Sequence, residues 1–170
     1  MKKFLSRLSV VALLCVVIAT TVSCNLFRKT SRAQVKTLMV TGNYMKPRLL
    51  AELAQYHTKQ PIILVQQDAD GARFFCLKNE SSEEFAADRF GDFIQFLNPK
   101  TIVVLGDDTC VPQTYVEQAQ KNFRVMVLNS ADWEKNAQML GEILDQPRLS
   151  REFKEYEKRF EDNVIPQPAK

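Results

Sequence analysis

Histidine is nearly absent from this chain of 170 residues, which contains only His57. Zinc sites and Ser–His–Asp triads both depend on histidine, and His57 falls at the end of a predicted helix, away from the predicted strand ends. The chain also lacks the Gly-x-Gly-x-x-Gly turn of dinucleotide-binding proteins and the lysine motif of phosphate-binding loops. The sequence therefore predicts no cofactor and no metal, and it favours a protein that is not an enzyme.

Net charge is also absent once the predicted leader is set aside. The full chain carries a formal charge of +3, but Lys2, Lys3 and Arg7 are the only charges before Cys24. Without them the basic residues equal the 20 acidic residues in number. A nucleic-acid-binding surface needs an excess of positive charge, so we expect no nucleic-acid partner.

The first 23 residues have the layout of a secretion signal. Three positive charges precede an apolar run from Leu8 to about Ala19, which is short for a membrane span. Ser23 precedes Cys24, and this junction resembles the lipobox of bacterial lipoproteins, where the chain is cut before the cysteine. We expect residues 1–23 to be a lipoprotein signal peptide; an uncleaved anchor and an ordinary secretory signal are the alternatives.

The lipobox resemblance implies acylation of Cys24, for example with palmitate, and hence attachment to a membrane of the cell envelope. Asn25 follows the cysteine, which by the habit of lipoproteins permits sorting to the outer membrane, facing the periplasm, if the host has two membranes. Residues 24–34 are polar and basic and are predicted to be a tether. Residues 164–170 are predicted to form a tail.

Two cysteines, Cys76 and Cys110, remain in the predicted mature chain. An envelope compartment permits disulfides, and the spacing of these cysteines is not that of metal ligands. The sequence leaves open whether they form a bridge or two buried thiols.

Short apolar runs alternate with amphipathic stretches from residue 35 to residue 146, which is typical of an α/β domain. The predicted strands are residues 35–42, 61–65, 101–106 and 123–128, with 72–77 as an extra edge strand. Four helices are predicted. The first covers residues 47–56, and the second begins at the Ser81-x-x-Glu84 capping box and ends at Leu97. The third covers residues 112–122, and the fourth is capped by Asn129–Ser130 and ends at Leu144. We expect a Rossmann-like three-layer sandwich with a mainly parallel four-stranded sheet.

Residues 147–163 are predicted to form an amphipathic C-terminal helix. Leu149, Phe153, Tyr156 and Phe160 recur at intervals of four, three and four. This face either docks on the sheet domain, which we favour, or pairs with another subunit.

Polar residues follow each predicted parallel strand, at the edge where ligands bind in open α/β sheets. Asn43, Asp107, Asp108, Asn129 and Ser130 are the candidate ligand-binding residues. The competing interpretation is structural: Gly106 permits a turn, and the two acids favour the start of the next helix. A divalent-metal site would need a further acid such as Asp68 or Asp70.

Three segments resemble the cell-wall-binding repeat type two of bacterial surface proteins. Residues 41–64 are similar to the opening turn, the Ala–Leu helix and the proline-led strand of that family. Residues 99–106, together with Val111, are similar to its Pro-Lys strand and glycine turn. Residues 133–140 are similar to its aromatic–glutamate helix. Asp107 replaces the family's second turn glycine, and Asp132 replaces an arginine. The resemblance implies a Rossmann-like fold and contact with wall polymer. Because the family normally has three repeats and this chain has one, it also implies a homo-oligomer.

Three functions are compatible with these features. The first is a non-catalytic envelope binding or scaffold module that contacts cell-wall polymer, glycan or an envelope protein. The second is a metal-dependent hydrolase that uses acids at the strand ends. The third is a structural partner subunit that docks through its C-terminal helix.

Overall fold

The computed structural model describes residues 35–69, 71–78 and 81–162. The predicted signal peptide, the tether with Cys24, and the tail at 164–170 lie outside these residues. Within the described ranges, no helix has the length and hydrophobicity needed to cross a membrane.

The described residues form an α/β domain around one mixed sheet. The strands are β1 (Thr37–Gly42), β2 (Ile62–Asp68), β3 (Gly71–Lys78), β4 (Ser81–Ala86), β5 (Thr101–Leu105) and β6 (Arg124–Leu128). Their order across the sheet is β4-β3-β2-β1-β5-β6. The neighbours β2, β1, β5 and β6 pair in parallel, whereas β3 and β4 are antiparallel additions at one edge.

Helices cover both faces of the sheet. They are α1 (Met45–Thr58), α2 (Phe90–Leu97), α3 (Gln113–Gln120), α4 (Trp133–Leu144) and α5 (Leu149–Asp162), with a 3₁₀ turn at Ala87–Arg89. One apolar cluster packs α2 and α3 on strand residues such as Val40 and Val104. A second packs α1, α4 and α5 on the opposite face, against residues such as Met39 and Val103. Alternate side chains of β1 and β5 enter different clusters, which explains why these strands are apolar throughout.

The prediction of a four-stranded, mainly parallel sheet was wrong, because the sheet has six strands and is mixed. The extra strand predicted at residues 72–77 is present as β3, but β4 and not β3 lies at the edge. The four predicted parallel strands are present, but β3 and β4 add a full antiparallel hairpin. The Ser81-x-x-Glu84 segment is strand β4 and not a helix start, since Lys78 pairs with Ser81 and Phe74 with Phe85. The Phe85 ring stacks on Phe74, with ring centroids 5.4 Å apart, and cross-strand packing of this kind overrides a local capping pattern.

The predicted docking of the C-terminal helix is confirmed for its first half. Leu149 and Phe153 are fully buried in the cluster that contains α1 and α4. Side-chain contacts hold α5 on both neighbours: His57 Nε2 of α1 lies within hydrogen-bond distance, 2.5 Å, of a Glu152 carboxylate oxygen, and Lys154 forms an ion pair with Glu134 of α4 at 3.0 Å.

Candidate binding cleft at the carboxyl ends of the strands

The chain adds strands first on one side of β1 and then on the other, and this change of direction creates a crevice at the carboxyl ends of β1 and β5. The chain leaves β1 towards α1 on one face and leaves β5 towards α3 on the other face. In open α/β sheets this divergence leaves room for a ligand between the two connections. Thr41 joins the strands at this point, because its buried hydroxyl donates to the Leu105 carbonyl at 2.7 Å.

Two glycines let the loop after β5 fold back tightly over β1. A Cβ on Gly42 would lie 2.8 Å from Cys110 Cα, so only a residue without a side chain fits there. Gly106 has a φ of +105°, which favours glycine, and a Cβ there would lie 2.6 Å from Cys110 Cβ. Cys110 is thereby held at the mouth of the crevice.

A cleft of about 430 Å³ lies beside this loop. The start of α1, the loop after β5 and the connection from β6 to α4 form its walls. It is lined by Tyr44, Met45, Lys46, Pro47, Gly106, Asp107, Thr109, Cys110, Asn129, Ser130, Ala131 and Trp133. Tyr44 and Met45 are exposed at its rim, while the half-buried Trp133 ring lies 3.7 Å from the position of a Gly106 Cβ.

The wall after β6 is held in place by one buried amide. Asn136 in α4 is fully buried, and its side chain accepts from the Ser130 amide at 3.0 Å and donates to the Ser130 carbonyl at 2.8 Å. The sequence indicated a cap at Asn129–Ser130, but the side chain that caps α4 is Asp132, which accepts from the Glu134 and Lys135 amides. Asn129 and Ser130 are therefore in the cleft wall and not in the first turn of the helix.

Asp107 is the acidic group of the cleft. Its Oδ1 accepts from the Thr109 hydroxyl at 2.6 Å and from the Thr109 amide at 3.1 Å. The Thr109 hydroxyl first, and then the Thr109 amide, lower the pKa of Asp107 below its ordinary value. The carboxylate is therefore ionised at neutral pH and is oriented by its own loop.

Cys110 is a thiol and is not bonded to Cys76. Cys110 lies at the end of β1, whereas Cys76 lies on β3, which is two strands, or about 10 Å, away from β1. This separation exceeds the range of a disulfide. Burial, followed by the charge of Asp107, raises the pKa of the Cys110 thiol, so the thiol is protonated at neutral pH and is a poor nucleophile.

Asn43 and Asp108, the other two candidate residues, do not line this cleft. Asn43 accepts from Arg48 at 3.0 Å and donates to Gln66 at 3.5 Å, and so links the end of β1 to β2. Asp108 lines a neighbouring hollow of about 340 Å³ on the α3 side of the same loop, which Asp107 and Asn129 also line. Asp107, Asn129 and Ser130 are the candidate residues that the fold brings together in the cleft.

The acids needed for a metal-dependent hydrolase do not converge among the described residues. Asp68 pairs with the Arg73 guanidinium, 2.5 Å away, and the pKa of Asp68 is lowered by hydrogen bonds from Gln66 and then from Arg73. Asp70 lies outside the described residues. In the part of the chain that the structure describes, no three His, Cys, Asp or Glu side chains are grouped to hold a metal ion.

Sequence reasoning missed the apolar half of the cleft and its buried support. Tyr44 and Met45 lie in the segment that resembles the family's opening turn, and Trp133 starts the segment that resembles its aromatic–glutamate helix, but none of the three was a candidate ligand-binding residue. One feature of the sequence could have indicated this support: Asn136 is an amide directly beside Ala137, on the apolar side of α4. A polar residue at a core position is buried only when it is hydrogen-bonded, so it indicates a loop that needs fixing.

Comparisons with protein-family models, with curated proteins and with solved structures each found no match for this chain.

Proposed function

We propose that this protein is a non-catalytic envelope lipoprotein whose domain binds a neutral, hydroxyl-rich stretch of cell-wall glycan in the cleft. The domain is, in this proposal, a Rossmann-like three-layer sandwich, with the helices on the two faces of the sheet as its outer layers. The observation that carries the proposal is the composition of the cleft, which combines exposed aromatic and apolar walls with hydroxyl and amide groups.

A sugar ring presents C–H groups on its flat faces and hydroxyls around its edge. Aromatic side chains such as Tyr44 and Trp133 complement the faces by apolar contact. Thr109, Asn129 and Ser130 supply donors and acceptors for the edge. Pockets that combine apolar walls with a few convergent polar groups are the usual form of small-ligand sites.

The charges of the cleft favour a neutral ligand over an anionic one. Lys46 and Asp107 are the charged side chains that line it, and Lys46 is 2.6 Å from Glu157. An anionic polymer would meet the ionised Asp107, whereas a neutral sugar can donate a hydroxyl to it. The resemblance to cell-wall-binding repeats points to the same class of partner, a wall polymer. That family holds anionic wall polymers, whereas we propose a neutral stretch of glycan.

The position of the cleft is compatible with a domain tethered to a membrane. Val35, where the predicted tether would join, precedes β1, and the cleft lies beyond the other end of that strand. The six residues of β1 separate the two points by roughly 20 Å. We propose that Cys24 carries the lipid and that the ligand binds at the end of β1 opposite to Val35.

Co-sedimentation with purified cell-wall sacculi tests the proposal. The full chain, kept in a detergent without a sugar headgroup, is expected to pellet saturably and to remain bound as salt is raised. Tyr44→Ala should weaken pelleting, because it removes an exposed ring from the cleft rim. Tyr56→Ala is the matched control, since Tyr56 is an exposed tyrosine at the other end of α1.

Two outcomes would count against the proposal. Equal pelleting of Tyr44→Ala, Tyr56→Ala and wild type would place binding outside the cleft. Loss of pelleting with rising salt would indicate an anionic polymer, because screening weakens charge pairing and leaves apolar contacts intact.

A further inference from the structure

The apolar stripe of α5 is buried in its first half and exposed in its second half. Leu149 and Phe153 have no exposed surface, but Tyr156 is 41% exposed and Phe160 is 51% exposed. The four residues lie on one face of the helix by their spacing. The stripe thus continues beyond the part of the domain that covers it.

Two ion pairs locate the exposed half beside the cleft. Lys154 is 3.0 Å from Glu134, which follows the cleft residue Trp133 in α4. Glu157 is 2.6 Å from Lys46, which lines the cleft at the start of α1. The helix is therefore attached to both walls of the cleft at the level where its apolar stripe becomes exposed.

The helix then extends past the end of α4. The helices α4 and α5 are antiparallel, because Leu149 packs near Gly141 and Lys154 pairs with Glu134 in the first turn of α4. From Lys154 to Asp162 the helix continues for eight residues, or about 12 Å. Its distal turns therefore project beyond the cleft edge of the domain.

We propose that the exposed half of α5 forms a second subsite, continuous with the cleft, that holds the next part of a bound neutral oligosaccharide. This inference rests on the proposed function and adds that the ligand is an extended chain and not a single sugar. Tyr156 and Phe160 offer the same apolar contact as Tyr44 and Trp133. In this proposal, Tyr156 and Phe160 extend the aromatic surface that Tyr44 and Trp133 provide in the cleft.

The size and charge of the exposed stripe argue against a second copy of the chain as its occupant. Two half-exposed aromatic side chains present roughly 200 Å² of surface, whereas a stable protein interface needs about 800 Å² from each partner. Glu157, Lys158 and Arg159 surround the stripe, and the Arg159 guanidinium lies 5.2 Å from the Tyr156 ring centroid. Such a narrow aromatic strip with charged flanks fits a sugar chain better than a protein surface.

Calorimetric titration of the full chain with N-acetylglucosamine oligomers of two and six rings tests the second subsite. The wild type is expected to bind the six-ring oligomer roughly tenfold more tightly than the two-ring oligomer. Phe160→Ala should remove most of this preference and leave two-ring binding unchanged. Phe96→Ala is the matched control, because Phe96 is a helical phenylalanine with 49% exposure at the opposite end of the domain.

The outcomes separate failure of this inference from failure of the proposed function. If the wild type binds both oligomers and Phe160→Ala keeps the full preference, the second subsite is overturned and the cleft proposal stands. If the wild type binds neither oligomer, both are overturned. Sedimentation velocity is measured on the same samples, and a lower mass for Phe160→Ala than for wild type would assign the stripe to self-association and overturn the subsite.

Discussion

At the scale of single residues, the site depends on how closely the loop after β5 approaches β1. Gly42 and Gly106 both lie against Cys110, and neither position has room for a Cβ without movement of the loop. The same loop carries Asp107 and Thr109 into the cleft. Its tight packing therefore positions the polar groups that the proposed ligand would meet.

Gly106→Ala is expected to destabilise the domain by about 1–3 kcal/mol through backbone strain, and by more through contact with Cys110. Gly71→Ala is the control, because Gly71 has a φ of +121° but nothing lies within 4 Å of its Cβ position. Denaturant unfolding of both variants separates strain from crowding. Equal losses in the two variants would show that Cys110 moves aside freely.

The Thr109 hydroxyl is expected to control the titration of Asp107. The folded-state pKa of Asp107 is depressed, so its contribution to stability is present above the unfolded-state pKa and is lost as pH falls through the folded value. Thr109→Val removes the hydrogen bond from the Thr109 hydroxyl to Asp107 Oδ1 and should raise the pKa of Asp107, while Thr109→Ser should keep it low. Carboxyl NMR titration measures this, and an unchanged midpoint in Thr109→Val would contradict the assigned cause.

At the scale of elements, the start of α4 positions a whole wall of the cleft. Asp132 caps the helix, Trp133 begins it, and Asn136 fixes the preceding loop. Loss of the cap would loosen both the helix and the wall that precedes it.

Asp132→Ala is expected to lower the free energy of unfolding by about 1 kcal/mol, because two amides of the first turn lose their acceptor. Asp132→Asn keeps an oxygen in the same place and should lose at most a few tenths. Urea unfolding measures both. If Asp132→Asn lowers the free energy of unfolding as much as Asp132→Ala does, the negative charge of Asp132 and not its capping hydrogen bonds stabilises the helix.

Sequence patterns predicted the elements that are strongly periodic or continuously apolar. The buried runs of β1, β2 and β5 were recognisable because both faces of these strands are covered. Strand β4 was not recognisable, because its Ser-Ser-Glu-Glu opening is locally a helix signal. Only pairing with β3 and contact of Phe85 with Phe74 and Phe93 make it a strand. These contacts join β4 to the strand before it and the helix after it, so they do not show in the pattern of the Ser81–Glu84 segment alone.

The candidate site was predictable to a similar degree. The rule that ligands bind beyond the carboxyl ends of parallel strands led to Asp107, Asn129 and Ser130. It failed for Asn43, whose side chain is engaged by Arg48 and Gln66. The rule did not identify Tyr44 or Trp133, because the exposure of an aromatic ring depends on how the helices pack around it.

At the scale of the whole molecule, we propose a lipid anchor on Cys24 and a ligand cleft at the end of β1 opposite to Val35. Expression in a bacterial host that processes lipoproteins tests the anchor. Wild type is expected in the membrane fraction, with cleavage before Cys24 and an added acyl mass by mass spectrometry. Cys24→Ser should lack the acyl mass and leave the membrane fraction. An uncleaved chain that stays in the membrane with Cys24→Ser would show that the leader itself is the anchor.

The most direct test of the central claim uses the fact that the chain contains one tryptophan, Trp133, and that it lies in the cleft. Its emission is followed while the full chain is titrated with the six-ring N-acetylglucosamine oligomer. A neutral sugar in the cleft should cover the indole and produce a saturable blue shift, which should be weaker in Tyr44→Ala. Saturable calorimetric binding of the same oligomer with no change in Trp133 emission would contradict the account, because the sugar would then bind elsewhere.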